Sequence, residues 1–466
     1  MKIHRTEIEG VVIIESRVFE DHRGWFTEVY SKQKFSEQGI DLNFVQDNHS
    51  MSYQKGTLRG LHFQTNPKAQ TKLVRCTKGK IYDVVVDLRK GSPTYKKWIG
   101  IELSDKNKKQ LLVPKGFAHG FVTLTEEVEV QYKVDEYYSL EHDGSIRFDD
   151  PEIGVDWVMQ NPILSEKDLQ APYLKDSGVD FSLKFMITGA NSQLGNDIIS
   201  KLKEIKLDVI APGRDELELT EKKSVTEYIL KEKPDVIIHC AAYTAVDKAE
   251  DENKLCYAVN VEGTRHVANA AVEIGAKLVY ISTDYVFDGL GKDPQSETKE
   301  TNPINYYGFT KEQGEKIVKK LVENYFIVRT SWVYGFNGNN FVKTMLKLAE
   351  TNNEISVVKD QFGSPTYTKD LANFIVKLVK TNKYGTYHAV NEGYCSWHEF
   401  AKAIFYKSGI EMKVDAITTE EHGARARRPL NSRLSNENTK KAGIERLPHW
   451  NDALSRFLVE LNIMED

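Results

Sequence analysis

The chain has 466 residues, too many for one typical domain and suited to two or three. Its 63 Lys and Arg against 68 Asp and Glu leave a net charge of -5, with no basic domain that would point to nucleic acid. The four cysteines, Cys76, Cys240, Cys256 and Cys395, are widely spaced without a C-x-x-C and indicate neither a disulfide framework nor a zinc site. No signal-peptide core and no bilayer-spanning apolar run is evident, so a cytoplasmic enzyme without a membrane partner is expected.

From Gly10 to Val134 the chain shows short β-rich runs at 11–14, 72–76, 81–86 and 128–134, separated by polar turns at 78–80 and 104–107. No long helical period interrupts them, and such texture predicts an all-β jelly roll of the cupin kind. Its polar residues are not placed as surface filler. Arg59-Gly60-Leu61-His62-Phe63-Gln64 sets an arginine and a histidine inside a strand-like stretch, and Gln46-Asp47-Asn48-His49-Ser50 and Gly116-Phe117-Ala118-His119-Gly120 add more. Taken singly, each histidine reads as a hydrogen-bonded structural residue. Metal-binding cupins carry a His-x-His pair that His62 lacks, so no metal is expected.

With Asp21-His22-Arg23-Gly24, Asp87-Leu88-Arg89-Lys90-Gly91-Ser92-Pro93-Thr94, Gln131-Tyr132-Lys133 and Leu164-Ser165-Glu166-Lys167-Asp168, these words resemble the dTDP-4-dehydrorhamnose 3,5-epimerase family, from about Val18 to Leu174. The resemblance implies His62 as the base, oriented by Asp168, with Tyr132 as the opposing acid. It implies Arg59 and Lys72 as stabilisers of the enolate oxygen, and Arg23, Glu28, Gln46, Asp47, Asn48 and His119 as sugar-nucleotide contacts. A family glutamate has only Asp143 near its place. By resemblance the protein is a homodimer through this β domain. The chemistry is sound: protons alpha to a ketone become removable when cations stabilise the developing oxyanion, and a histidine suits proton abstraction at neutral pH.

A short polar stretch at 175–180 separates an expected domain at 1–180 from one at 184–466. Lys184-Phe185-Met186-Ile187-Thr188 predicts a buried strand, followed by the turn Gly189-Ala190-Asn191-Ser192-Gln193-Leu194-Gly195. A helical pattern then carries Leu194, Ile198, Ile199 and Leu202 on one face. Strand, glycine turn and helix present N–H groups to a pyrophosphate, although Ser192 stands where a middle glycine is usual. Arg214, after the second strand, suits either a 2′-phosphate or a solvated loop. A strand at 235–242 ends in small residues; helix at 253–275, strand at 277–286, helix at 306–323 and strand at 325–332 follow. The alternation predicts an α/β Rossmann-type doubly wound parallel sheet with ligands at its strand ends, where Ala241 and Thr283 fall.

Tyr307 and Lys311 then lie one helical turn apart. Spacing alone favours an ordinary exposed pair. Beside a dinucleotide, however, a cation lowers a phenol pKa from about 10 and makes a proton donor for a carbonyl, with Thr283 adding a hydrogen bond. The run Arg425-Ala426-Arg427-Arg428 reads as a site for substrate phosphates or as a solvated loop.

The words Cys240-Ala241-Ala242-Tyr243-Thr244-Ala245-Val246-Asp247, Ser282-Thr283-Asp284-Tyr285-Val286-Phe287-Asp288-Gly289 and Arg329-Thr330-Ser331-Trp332-Val333-Tyr334-Gly335 resemble extended short-chain dehydrogenase/reductases. Asp360-Gln361-Phe362-Gly363-Ser364-Pro365-Thr366 and Arg428-Pro429-Leu430-Asn431-Ser432 narrow the likeness to the dTDP-4-dehydrorhamnose reductase family. The resemblance implies NADPH or NADH as cofactor, held by Gly189, Ser192, Gln193, Leu194, Gly195, Arg214, Glu218, Leu219, Ala241, Ala242, Tyr243, Tyr307 and Lys311. Catalysis would fall to Thr283, Tyr307 and Lys311, with Asp284 and Trp332 on the substrate, in a small substrate-binding subdomain. Dehydratases of the superfamily carry Asp-Glu after the threonine; here Asp284 is followed by Tyr285, which favours hydride transfer without elimination of water.

The expected activity is therefore 3,5-epimerisation of a nucleotide-linked 4-keto-6-deoxyhexose followed by C4 reduction to the L-rhamnose nucleotide. Three alternatives stay open at this level: the C4 epimer (a 6-deoxy-L-talose nucleotide), a UDP-linked substrate, and a non-catalytic assembly protein on the same folds.

Overall fold

The computed structural model describes residues 1–40 and 42–462. Contacts divide the chain into two compact units, Met1–Ser182 and Leu183–Asp466. In the first, six antiparallel strands lie in the order Lys2–Arg5, Val12–Glu15, Lys109–Val113, Lys72–Lys78, Val128–Val134, Gln46–Ser52. A second sheet orders Asp143–Ser145, Leu58–Gln64, Phe117–Thr123, Lys80–Asp87 and Trp98–Ser104. Alternation sends Val74, Cys76, Leu111 and Val130 from one sheet into a shared core with Ile81, Val85, Phe117 and Phe121 from the other. Each such side chain contributes roughly 1.5–3 kcal/mol on burial. The region also holds a short helix, Lys32–Ser36, seated by buried Phe35. One turn carries too little periodic pattern to stand out in a sequence.

The strand Leu58–Gln64 departs from simple alternation. Its pairing with Phe117–Thr123 shifts register between His119 and Phe121. Leu58, Leu61 and Phe63 share one core cluster, so a bulge at Gly60 lets Arg59 and His62, three residues apart, escape that face. Gly60 has φ +139, and a Cβ there would stand 2.5 Å from the Gly120 Cα. Glycine is what permits this approach of two backbones.

The second unit carries a six-stranded, fully parallel sheet ordered Asp208–Ile210, Lys184–Thr188, Val236–His239, Lys277–Thr283, Tyr325–Thr330, Gly385–His388. Both faces are covered. Phe185 and Ile187 pack against Leu194, Ile198 and Leu202 of helix Gln193–Glu204 and Leu371 and Ile375 of helix Thr368–Val379. Met186 and Ile237 face the other layer, with Val225, Val267 and Val318. The first strand lies between the second and the third, so the chain reverses its direction of winding there. That switch point opens a crevice at the ends of Lys184–Thr188 and Val236–His239. A further cluster joins helices Phe341–Ala349, Trp397–Lys407 and Trp450–Glu460 in a smaller subdomain.

The helix expected at 253–275 is interrupted: Asn253–Tyr257 is α-helical, Ala258–Gly263 is a π-helical turn, and Thr264–Ile274 resumes the α-helix. The widened turn turns buried Asn260 onto the loop after the third strand. Asn260 Oδ1 accepts from Tyr243 N–H (2.7 Å) while its amide donates to Tyr243 O (3.1 Å) and Thr310 (3.0 Å). Such turns are common at functional sites.

Candidate active sites

In the first unit, His62 Nε2 lies 2.6 Å from Asp168 Oδ1. Ser165 caps the short helix Glu166–Leu169, accepting from Asp168 N–H (3.2 Å) and donating its hydroxyl to Asp168 Oδ2 (2.7 Å). Burial pushes the Asp168 carboxyl up, but the hydrogen bonds from His62 and Ser165 outweigh it and hold the group below the usual carboxylate range. A charged carboxylate is thereby fixed behind a half-buried imidazole.

The imidazole faces a cleft of about 240 Å³ shared with Gln46, Asn48, Lys72, Tyr132, Asp143 and Lys167. Burial depresses the Lys72 ammonium to about 8, against the pull of Asp83 and Asp143. Burial also raises the Tyr132 phenol, which Arg59 partly offsets. Arg59 donates to Ser52 Oγ (3.2 Å) and Met51 O (3.1 Å) at the margin of this site. His119 pairs across the strands with His62, and its buried Nε2 meets Asp83 Oδ1 at 2.8 Å. Lys167, unassigned from the sequence, stands 2.5 Å from Asp143. Its only signal was its place beside Asp168.

Besides Arg59 and His119, which do not line this cleft, three expected substrate contacts lie elsewhere. Asp47 pairs with Lys133 at 2.8 Å; strand alternation turns it away from the side that Gln46 and Asn48 share with His62. Arg23 sits on the exposed hairpin Val18–Asp21/Gly24–Thr27, paired with Asp21 at 2.6 Å. Glu28 follows that hairpin and pairs with Lys34 at 2.8 Å. Neither lines the His62 cleft of its own chain.

In the second unit, the switch-point crevice encloses about 510 Å³, lined by Gly189, Ser192, Arg214, Glu218, Leu219 and Ala241–Tyr243 among others. Gly189 has φ +68, and a Cβ there would stand 2.6 Å from the Ala241 nitrogen. At Gly195 a Cβ would stand 2.4 Å from the Gly189 oxygen. Both glycines press helix and strand ends together. Ser192 caps helix Gln193–Glu204 by accepting from Gly195 N–H (3.0 Å), so the missing middle glycine is replaced by a helix cap. The tight turn, the helix N-terminus and the crevice fit the adenosine and pyrophosphate of a dinucleotide.

Two of the expected cofactor side chains are otherwise engaged. Leu194 packs into the core, which leaves only its backbone to face a phosphate. Gln193 donates to Asn339 O (3.3 Å) and accepts from the Asn340 amide (3.0 Å). Arg214 extends into solvent at the crevice rim, 3.0 Å from Glu218; Glu218 also accepts from Thr220 N–H (3.0 Å) and its hydroxyl (2.8 Å).

Thr283 ends strand Lys277–Thr283; its hydroxyl donates to Asp284 Oδ1 (3.0 Å) and accepts from Tyr285 N–H (3.2 Å). Tyr307 is the second residue of helix Tyr306–Leu321 and meets Tyr285 edge-on, with ring centroids 5.7 Å apart. The helix can approach this turn because position 308 is glycine: a Cβ there would fall 2.1 Å from the Tyr285 oxygen. Lys311 is buried, its Nζ 4.0 Å from the Tyr280 ring centroid, which is a favourable seat for a cation. Trp332, at φ 50, stacks on Trp397 at 3.6 Å.

The pKa pattern corrects one expectation. Lys311 was expected to lower the Tyr307 phenol. Instead burial raises the phenol, Asp284 adds to the rise, and a hydrogen bond with Thr283 offsets only part of it. Burial also brings Lys311 down to about 7 and Asp284 up to about 6.

Among the described residues no group of three or more His, Cys, Asp or Glu could hold a metal ion, and no helix is long and apolar enough to cross a membrane. The family model for the RmlD substrate binding domain matches residues 183–463, and that for dTDP-4-dehydrorhamnose 3,5-epimerase matches residues 5–176. The chain is 44% identical over 277 residues to the spore coat polysaccharide biosynthesis protein SpsK of Bacillus subtilis, spanning 59% of this chain and 97% of that protein. It is 39% identical over 287 residues to the dTDP-4-dehydrorhamnose reductase of Aggregatibacter actinomycetemcomitans, spanning 59% and 98%. The Bacillus anthracis dTDP-4-dehydrorhamnose reductase, solved with NADP, is 47% identical with a TM-score of 0.59, covering 60% of this chain and 99% of that one. The chain therefore belongs to the RmlD reductase family over residues 183–463 and joins to it, over residues 5–176, a member of the dTDP-4-dehydrorhamnose 3,5-epimerase family.

Proposed function

We propose that one chain carries out two consecutive steps: epimerisation at C3 and C5 of dTDP-4-dehydro-6-deoxy-D-glucose, then NADPH-dependent reduction of the C4 ketone to dTDP-L-rhamnose. The observation that carries this is the presence, in one polypeptide, of a His62–Asp168 pair at 2.6 Å and of Tyr307 on a helix closed against Thr283–Tyr285 through Gly308.

In the epimerase step His62 takes a proton alpha to the ketone, and Asp168 stabilises the imidazolium that results. Lys72 and Arg59 offer positive charge to the enolate oxygen. Tyr132 returns a proton from the side opposite His62; a phenol held above its ordinary value stays protonated and ready to donate. Asp143, paired with Lys167, closes the same cleft.

In the reductase step the glycine turn and helix N-terminus hold the dinucleotide phosphates, and Arg214 at the rim reaches its ribose end. The bound cofactor supplies hydride to C4. Tyr307 donates the proton to the oxygen formed there, and Thr283 orients the phenol. Lys311 stabilises the phenolate left behind. Asp284 and Trp332 bound the sugar side. NADPH is favoured because the Bacillus anthracis relative holds NADP and because Arg214 is free to swing onto a 2′-phosphate from its solvent-facing ion pair.

The protein acts as a cytoplasmic homodimer through its first unit. Support comes from the hairpin Val18–Asp21/Gly24–Thr27, which leaves Phe19 50%, Trp25 57% and Phe26 68% exposed beside Arg23. In a dimer, Arg23 and Glu28 would reach the sugar nucleotide in the partner's cleft.

The test is direct. The whole protein is given the keto-sugar nucleotide and NADPH in deuterated water, cofactor absorbance is followed, and the product is examined by NMR. We expect cofactor oxidation with deuterium at C3 and C5 of a rhamnose-configured product. Cofactor oxidation without deuterium, or a talose-configured product, would overturn the assignment.

A further inference from the structure

Two arginines of the basic run Arg425–Arg428 are held in ion pairs, Arg425 with Asp251 at 2.8 Å and Arg428 with Asp247, while Arg427 stays exposed. Arg428 grips Asp247 with both terminal nitrogens, Nη1 to Oδ1 at 3.1 Å and Nη2 to Oδ2 at 2.6 Å. Asp247 Oδ1 also accepts from Ala426 N–H at 3.0 Å. Asp247 lies just after the crevice segment Ala241–Thr244. The strap 425–432 thus leaves the substrate subdomain and is tied to the dinucleotide-binding half of the same unit.

Between these ties the strap touches the catalytic helix. Its Arg427 carbonyl accepts the Asn305 amide at 2.7 Å, while Asn305 Oδ1 caps that helix by accepting from Gly308 N–H at 2.8 Å. Tyr307 lies between the two residues so joined. The far end of the strap seals over the loop after Thr283: Asn431 N–H donates to Gly289 O at 3.0 Å, and a Cβ on Gly289 would stand 2.5 Å from the Pro429 Cα.

We propose that Arg428 and Asp247 are positioning residues for the ketone reduction: their ion pair holds the strap on the Asn305 cap and so fixes Tyr307 against Thr283. This rests on the reductase assignment of that site. A stabilising role accounts poorly for the pair. Asp247 keeps 46% of its side chain exposed and Arg428 21%, and ion pairs open to solvent add little to stability. Misplacing a proton donor by a fraction of an ångström, by contrast, costs rate directly.

The experiment uses the full-length protein and pre-epimerised keto-sugar nucleotide. It compares wild type, Arg428→Ala, Asp247→Asn, the double variant and Arg428→Lys. We expect kcat to fall by at least about tenfold in both single variants. The double variant should fall by less than the product of the two, because both substitutions break the same ion pair. Arg428→Lys, which keeps the charge but not the two-pronged grip, should fall between. The Kd for NADPH, read from nicotinamide fluorescence, should stay within twofold, and so should KM. Unchanged kcat overturns the proposal, as do multiplicative losses, a rise in KM at constant kcat, or loss of NADPH binding even in Arg428→Lys. A wild-type protein that oxidises no NADPH with this substrate would instead defeat the reductase assignment itself.

Discussion

Lys72 shows how a partly buried charge trades stability for chemistry. Its ammonium is held at about 8 because burial outweighs the attraction of Asp83 and Asp143. The folded chain therefore favours the neutral amine. This stabilisation is full above the ordinary lysine value of about 10.5, shrinks as pH falls toward 8, and below 8 the charged group is a constant cost. Lys72→Met should accordingly raise the midpoint of the first unit's calorimetric transition by a few degrees at pH 7, a gain that fades by pH 10. The same change should lower epimerase kcat by about a hundredfold or more, as loss of an oxyanion donor does. Lys72→Arg should keep activity at pH 9, where wild type declines. A wild-type epimerase rate that stays flat from pH 7 to 9.5 would show that this charge is not needed. At this scale the residue types were legible, but their balance was not: the fall of Lys311 to about 7 depends on burial that no spacing reveals.

Elements carry the next constraint, since each reacting group is set by a close backbone approach. Gly308 is the clearest case. Replacing it with alanine puts a methyl into the Tyr285 carbonyl, so helix Tyr306–Leu321 must retreat and Tyr307 with it. We expect Gly308→Ala to cut NADPH oxidation by about a hundredfold while deuterium exchange at C3 and C5 continues; retention of more than a tenth of reductase kcat would contradict this. The glycine stood within Tyr307-Gly308-Phe309-Thr310-Lys311, yet helix spacing drew notice to the tyrosine and lysine only. Long, strongly patterned elements were readable: 184–188 as strand, 306–323 as a helix that ends two residues sooner. The π turn at Ala258–Gly263 and the bulge at Gly60 were not, because each is a local departure from period imposed by a tertiary neighbour, Tyr243 in one case and Gly120 in the other. The Gly60 bulge decides which face receives Arg59 and His62, so the epimerase constellation could be named from resemblance but not oriented from pattern. Asp47 was expected on the sugar nucleotide, whereas strand alternation turns it to Lys133.

At the scale of the whole molecule, the proposed assembly rests on the exposed aromatic hairpin and on Arg23 and Glu28 lying off the cleft. Trp25→Glu with Phe26→Glu should halve the mass in solution by light scattering and remove epimerase activity while NADPH oxidation of pre-epimerised substrate continues; an unchanged mass would refute assembly through this hairpin. The central claim, however, is that two complete proton-handling sites share one chain and work separately. It is tested by mixing two purified full-length variants, His62→Ala and Tyr307→Phe, with the unepimerised keto-sugar nucleotide and NADPH. Each alone should yield less than about a hundredth of the wild-type rhamnose product, and the equimolar mixture should recover a substantial fraction of it, as the intermediate released by the Tyr307→Phe protein is reduced by the other. A mixture as inactive as its components, or full conversion by either variant alone, would contradict the claim.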